Sequence, residues 1–400
     1  MIVLSLLFGL LAVVLLLPTL SDLLSLARLA IRKPRNEPSP QSAERPRFLL
    51  LVPAHDEELL LPACLASLAR LRYPSSLITV VVIADNCTDR TAELAQAAGV
   101  QCLIRTAPAD RGKPQAIAWA LAQLPMTDYD AFVIVDADTE LDADFAAHAA
   151  ARAPLADKVL QPFNGVSNDR ENALTRMAAV LSEANHGLAY VLKTRAGLNV
   201  PLGAGMCVGT RVLAAHGWTV RSLSEDWELY ALLTVRGARS EEMPAARIRA
   251  QEAATLRDST AQRGRWTAGK LAVLFQYTGP LLRSTRATFA QKLDGLAELS
   301  APGPVLHLAL VLLAIAPLAL IHPPGAVWIA CLLLATLLRP ALYAGIALAR
   351  DPAPWTAIRA FAFLPFYAIW RIGAGVVALG MLRKAKWVRT ARRPSSITAR

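Results

Sequence analysis

The apolar residues of this 400-residue chain are segregated. Long apolar runs lie at the start and in the last hundred residues, while nearly all the acidic residues fall between 32 and 270. Such a chain cannot bury its apolar length in one water-soluble core, and runs approaching ~20 residues are what a bilayer span requires. Ile2 to Leu17 is apolar apart from Ser5, and the pattern continues patchily to Ala30. The run has no basic n-region before it and no small-residue cleavage site after it, which favours an uncleaved anchor over a signal peptide. Arg28, Arg32, Lys33, Arg35, Arg45 and Arg47 follow it, so the positive-inside rule places the polar block in the cytoplasm and the N-terminus outside.

Two further spans are expected at 304–321 and 326–349, joined by His322-Pro323-Pro324-Gly325, with Arg339 and Pro340 interrupting the second. The Arg339 side chain is expected to snorkel or to pack against a neighbouring helix. The stretch from Arg359 to Met381 is long enough to span but leads into a basic tail, so an interfacial helix is preferred, with a fourth span as the alternative. The expected organisation is an anchor over 1–31, a basic linker over 32–47, a soluble domain over 48–270 and an amphipathic connector over 271–303. Two spans over 304–349 and an interfacial helix with basic tail over 350–400 complete it. The net charge of +11 collects beside these membrane segments, so it suits anionic headgroups and does not call for nucleic acid. Five cysteines, odd in number and without a CxxC pair, argue for reduced structural thiols and against a disulfide framework or a zinc site.

Between 47 and 270, short β-branched runs alternate with helical stretches, the pattern of an α/β domain with a mostly parallel sheet. Expected strands are Phe48–Val52, Leu77–Ala84, Gln101–Arg105 and Ala131–Val135. Expected helices are Leu59–Arg70, Thr91–Ala98, Lys113–Leu124 and Trp227–Val235. Polar residues then gather at the carboxyl ends of successive strands, where open α/β sheets bind ligands.

Asp136-Ala137-Asp138 follows a strand, and two carboxylates one residue apart suit a hard divalent cation shared with a diphosphate. Asp128-Tyr129-Asp130 and Asp142-Ala143-Asp144 have the same spacing but read as a turn and a helix start. Asp85 ends a strand and is placed to meet a nucleotide base or ribose, whereas Asp89 reads as a helix cap. Arg111-Gly112-Lys113 opens a helix, where amides and a cation would favour a phosphate; a solvated basic turn explains it equally well. In Ser224-Glu225-Asp226, Ser224 is expected to cap the next helix while Asp226 acts as a general base. Gln262-Arg263-Gly264-Arg265-Trp266 lies just before the membrane connector. Arg265 can neutralise a leaving diphosphate and Trp266 can face a sugar ring, or the pair can serve as an interfacial anchor. His55, His148 and His216 read as structural, and His186 as a weak candidate for acceptor contact.

Taken together, these peptides resemble the inverting glycosyltransferases of family 2, above all the membrane-embedded branch that holds cellulose, chitin, hyaluronan and bacterial exopolysaccharide synthases. The resemblance covers 48–270 and the anchor-before, spans-after layout. It rests on Pro53-Ala54-His55-Asp56-Glu57, Asp85 to Asp89, Gly112-Lys113, Asp136-Ala137-Asp138, Gly203-Ala204-Gly205-Met206, Glu225-Asp226 and Gln262 to Trp266.

It implies a GT-A fold (Rossmann-like, with a mostly parallel sheet), a nucleotide-diphosphate sugar donor, usually UDP-linked, and Mg2+ or Mn2+. By motif it implies Asp226 and Arg265 as catalytic residues and Asp138 as the metal ligand. Substrate contacts would come from Pro53, Ala54, Glu57, Asp85, Lys113, Asp136, Gly205, Glu225, Gln262 and Trp266. A lipid, lipid-linked sugar or polysaccharide acceptor at a bacterial plasma membrane follows, with room for export or assembly partners. Asp56-Glu57-Glu58 replaces the commoner Asn-Glu-Glu, and the spans are fewer than in synthases that build a translocation channel. A membrane nucleotidyltransferase lacks its glycine-rich lysine signature here. A non-catalytic subunit of a polysaccharide assembly complex remains the alternative function.

Overall fold

The computed structural model describes residues 1–31 and 45–381. Most of the basic linker (32–44) and the basic tail beyond 381 lie outside the described residues. Eight strands form one sheet: β1 (Phe48–Ala54), β2 (Ile78–Asp85), β3 (Gln101–Arg105), β4 (Ala131–Ile134), β5 (Thr139–Leu141), β6 (Val159–Val166), β7 (Cys207–Gly209) and β8 (Ser240–Ala250). Their spatial order is β3-β2-β1-β4-β7-β6-β8-β5. The first four strands pair in parallel, as does β6 with β8. The pairings of β7 with β4 and β6, and of β5 with β8, are antiparallel.

Successive residues of β1 serve opposite faces, as the pleat demands. Phe48, Leu50, Val52 and Ala54 enter one core, with Cys64, Leu68 and Phe145. Leu49 and Leu51 enter the other, with Ile117, Phe132, Leu229 and Tyr230. Burial on both faces explains why β1 reads as a continuous apolar run. The chain winds from β1 outward to β3 and returns to place β4 on the other side of β1. The carboxyl ends of β1 and β4 therefore flank a topological switch point, the usual ligand crevice of such sheets.

The four strands expected from the pattern are present within a residue or two, and β5 to β8 are additional. β5 and β7 have three residues each and exist only through their partners. β8 alternates only over its second half, where Arg247 and Arg249 face out and Ala246 and Ile248 in; Glu242 and Met243 are buried in succession before it, and β6 shifts register against β8 between Pro162 and Phe163.

Three helices are long and apolar enough to cross a membrane: Ile2–Ile31, Pro304–Ile321 and Ala326–Arg350. They pack through Ala12, Leu15, Val311, Ala314, Leu318 and Leu333. Arg339, within the third, donates to Asp22 of the first at 2.7 Å, so it is paired rather than snorkelled. The helix Leu364–Met381 is not among the three. The boundary expected at residue 270 falls inside one unbroken helix, Leu256–Arg283, whose capping residue is Thr255. This helix carries exposed Trp266 and Phe275, consistent with a position along an apolar surface.

Candidate active site

β4 ends one residue short of the expected strand, and the chain continues as Val135-Asp136-Ala137-Asp138. The alternation of the strand survives this turn: Val135 and Ala137 are buried, while Asp136 and Asp138 are only partly covered. Both carboxylates therefore emerge at the switch point. Lys113, at the start of the helix Lys113–Leu121, reaches across β1 and places Nζ 2.5 Å from Asp136 Oδ1 and 2.6 Å from Glu225 Oε1. The basic residue expected at a phosphate is thus already held between two carboxylates. It couples the end of β4 to the helix Glu225–Val235. Those charges outweigh the loss of solvent and push the Lys113 ammonium above its usual range, so it stays a cation.

Asp226 is the next residue of that helix. Loss of solvent, then the charge of Glu225, pushes its carboxyl up to about 7, with Lys113 and the Trp227 N–H opposing. Trp227 N–H donates to Asp226 Oδ1 at 2.7 Å. Ser224 occupies the N-cap position, but its hydroxyl makes no capping bond, contrary to the expectation from sequence. Glu228 shapes the turn instead: its Oε2 accepts from the N–H groups of Arg221 at 2.9 Å and Ser222 at 2.7 Å.

The loops after β1 and β2 form one cluster. Glu57 N–H donates to Thr91 Oγ1 at 2.8 Å, and Asp56 Oδ1 accepts from Thr88 N–H at 2.6 Å. Asp85 is buried, and its Oδ1 accepts from Arg105 Nη1 at 2.7 Å, so its carboxylate is committed to the next strand. Ala54 is buried in the core and Pro53 is partly covered. The Gly203–Met206 loop lies against β4, with Gly205 N–H donating to Ile134 O at 2.8 Å. Gly205 has φ +74°, and a Cβ there would stand 2.8 Å from Pro162 Cγ. This geometry accounts for glycine there as a backbone requirement.

The helix Leu256–Arg283, which carries Gln262, Arg265 and Trp266, meets the start of the helix Glu225–Val235 at Gly269: a Cβ on Gly269 would lie 2.9 Å from Ser224 Cβ, and closer still to the Ser224 hydroxyl. Gln262 is buried, and its Oε1 has no hydrogen-bond partner among the described residues. Trp266 is 43% exposed, with the Arg263 guanidinium 5.1 Å from its ring centre. Lys270 stands 4.1 Å over the Trp227 ring, and loss of solvent lowers its ammonium to about 8. Gly269 and Lys270 are not singled out by the sequence, and Glu228 reads there only as a first-turn residue of the helix that Ser224 opens. The seven-residue spacing from Gln262 to Gly269 is the signal that could have found the glycine, since it marks one helix face.

The carboxylates of Asp136 and Asp138 offer hard oxygen donors, and the nearby Cys64 thiol is held protonated by burial and by the Asp138 and Asp136 charges. That set suits a hard divalent cation and disfavours a thiolate-bound one. A second group, Asp56, Cys87 and Asp89, brings three ligand atoms within 4.8 Å of one another. Its carboxylates already accept from the Thr88, Glu58 and Thr91 N–H groups, and burial pushes the Cys87 thiol up to about 11.

A family model described as glycosyltransferase-like family 2 matches residues 46–269, more than half of the chain. The chain belongs to this family. As a family 2 glycosyltransferase, it is 24% identical over 259 residues to the Bacillus subtilis protein named "Probable glycosyltransferase YdaM", covering 61% of this chain and 60% of that one. It is 25% identical over 268 residues to the beta-monoglucosyldiacylglycerol synthase of Nostoc, covering 64% of this chain and 56% of that enzyme. The chain thus spans less than two thirds of the length of these curated relatives. A mannosyltransferase from Pyrobaculum calidifontis, solved with GDP-Man and Mn2+, superposes with a TM-score of 0.57 at 19% identity, covering 94% of this chain and 99% of its own. At that identity the likeness establishes the fold: the domain is a GT-A-type α/β sheet flanked by three candidate membrane helices.

Proposed function

We propose that this family 2 glycosyltransferase is an inverting, membrane-bound enzyme. It moves a sugar from a nucleotide-diphosphate donor, UDP-linked by preference, to a lipid acceptor at the cytoplasmic face. The observation that carries this reading is the partly covered Asp226 carboxyl, pushed up to about 7 beside Glu225 and within a charge network that reaches Asp136 through Lys113. A base tuned near neutral pH is what removal of a hydroxyl proton asks for.

In this mechanism Asp226 takes the proton of the acceptor hydroxyl. The acceptor oxygen forms its bond to the anomeric carbon on the face opposite the diphosphate. The bond from that carbon to the diphosphate oxygen breaks, and the diphosphate leaves with the electron pair. Arg265 neutralises the charge that develops on it, while Lys113 holds Asp136 and Glu225 in place. Gln262 and Trp266 position the sugars, and the loops bearing Pro53, Ala54, Glu57, Asp85 and Gly205 shape the donor side. Mg2+ or Mn2+, held by Asp138, supplies positive charge to the diphosphate when bound.

A lipid acceptor is supported by the three membrane-length helices, by the exposed Trp266 and by the glycolipid named for the Nostoc relative. That relative's β-linked product is the anomer an inverting attack yields from an α-linked nucleotide sugar. The test is nucleoside-diphosphate release by the full chain in lipid vesicles, screened over UDP-, GDP- and dTDP-sugars with Mn2+ or Mg2+ and diacylglycerol. One donor is expected to give metal-dependent release, and Asp226→Asn to reduce it by about 10²–10⁴-fold. Release that survives Asp226→Asn would remove that residue from the base role.

A further inference from the structure

Arg371 is a buried cation with no ion pair among the described residues. It lies on the helix Leu364–Met381, is 6% exposed, and its Nη1 has no hydrogen-bond partner. No carboxylate lies within ion-pair distance of it among the described residues. Residues 376–400 contain no Asp or Glu side chain to serve it. The helix Leu364–Met381 packs against the helix Leu256–Arg283, and the ionised group there that acts on Arg371 is another cation, Arg263, the second residue of the Gln262–Trp266 peptide. Arg263 gives Nη2 to Glu252 at 2.9 Å, while its Nε has no partner. The Glu252 carboxylate therefore pairs with Arg263, and the Arg371 guanidinium is left without an ion-pair partner among the described residues. Burying a guanidinium without a counter-charge is strongly unfavourable, and the planar fork of arginine matches a phosphoryl group.

The surroundings say where such an anion would come from. Buried Tyr367 and partly buried Trp370, ring centres 5.2 Å apart, share an apolar cluster with Leu174, Met177 and Val305. A Cβ on Gly375, one turn beyond Arg371, would lie 3.7 Å from Leu306. Val305 and Leu306 open the span Pro304–Ile321, so Arg371 lies level with a membrane edge. Headgroup phosphates sit at that depth.

We propose that Arg371 and Arg263 form a phosphoryl-binding site that takes the phosphate of an anionic membrane lipid. The site joins the helix Leu364–Met381 to the helix that carries Gln262, Arg265 and Trp266. Its occupancy would therefore couple the catalytic helix to the membrane surface. The inference rests on the membrane reading above but not on turnover, so a failed binding assay and a failed transfer assay are distinguishable.

The experiment uses the full chain in detergent. Apparent affinities for dioctanoyl phosphatidylglycerol, dioctanoylglycerol, inorganic pyrophosphate and UDP are read by ligand-induced thermal stabilisation. The wild type is expected to bind the phospholipid and to bind dioctanoylglycerol at least tenfold more weakly. Arg371→Gln is expected to weaken phospholipid binding at least tenfold and to leave UDP binding unchanged. Unchanged phospholipid binding in that variant would overturn the site. Loss of UDP or pyrophosphate binding with the phospholipid retained would assign the guanidiniums to the donor diphosphate and overturn the lipid assignment. Should Arg371→Gln not fold, Arg371→Lys keeps the charge without the fork. It is expected to bind the phospholipid more weakly than wild type, and equal binding would overturn the proposal.

Discussion

Replacing Gly269 by alanine tests whether the helix Leu256–Arg283 sets the position of the proposed base. The added Cβ would meet Ser224 Cβ at 2.9 Å, whereas carbon atoms rest about 3.5–4.0 Å apart. The two helices must separate by roughly 0.6–1.1 Å, because neither Cβ can rotate away and the Ser224 hydroxyl is in the path as well. Two stability terms oppose each other. Overpacking costs about 1–3 kcal/mol, and Gly→Ala inside a helix returns up to about 1 kcal/mol. The net loss of stability is therefore modest, about 0–2 kcal/mol. The rate should suffer far more, since a displacement near 1 Å of a reacting group costs about 10²-fold. The assay pairs steady-state nucleoside-diphosphate release with a thermal melt. The expected outcome is kcat down by about two orders of magnitude with a melting temperature lowered by a few degrees at most. Combining it with Ser224→Gly, which removes both obstructing atoms, should restore part of the rate. Wild-type kcat in Gly269→Ala would refute the reasoning and detach this helix from the placement of Asp226.

The remaining expectations concern charge. Asp226 accepts a proton only when ionised, so kcat/KM should rise with pH and reach half its plateau near 7. Lys113→Met removes the cation that holds that value down and should move this limb upward by about 1–3 pH units; an unmoved limb would sink the coupling. A raised carboxyl contributes stability that is present below its unfolded value of about 3.9 and is lost as pH climbs through the folded value, so ionising Asp226 weakens the fold where the enzyme works. Asp138→Ala should abolish the stimulation of release by Mn2+ or Mg2+ in a metal titration while leaving the melt intact. Lys193 is fully buried and pairs with Asp294 and Glu298. Lys193→Met strands both carboxylates and should destabilise the protein by about 3–5 kcal/mol in thermal unfolding.

By itself the sequence determined where the chain changes solvent, because a run of ~20 apolar residues has few places to go but a membrane. It also determined the parallel half of the sheet: β1, β2 and β4 are buried on both faces, and two-sided burial writes continuous Val, Ile and Leu into the primary structure. The acids at the ends of those strands were legible for the same reason, since a strand end in an open sheet faces the crevice. Tertiary structure decided the rest. β5 and β7 are three-residue strands whose order comes from their neighbours, and the first half of β8 breaks the alternation that Ala246 to Arg249 keep. Ser224 looked like a cap, but Glu228 holds the turn, because hydrogen bonds go to whichever acceptor the folded backbone places in reach. Lys113 lies 112 residues before Glu225, and Arg263 lies 108 before Arg371. Residues so far apart in the chain act on one another only once the fold packs their elements together and excludes water, and neither composition nor spacing records that packing.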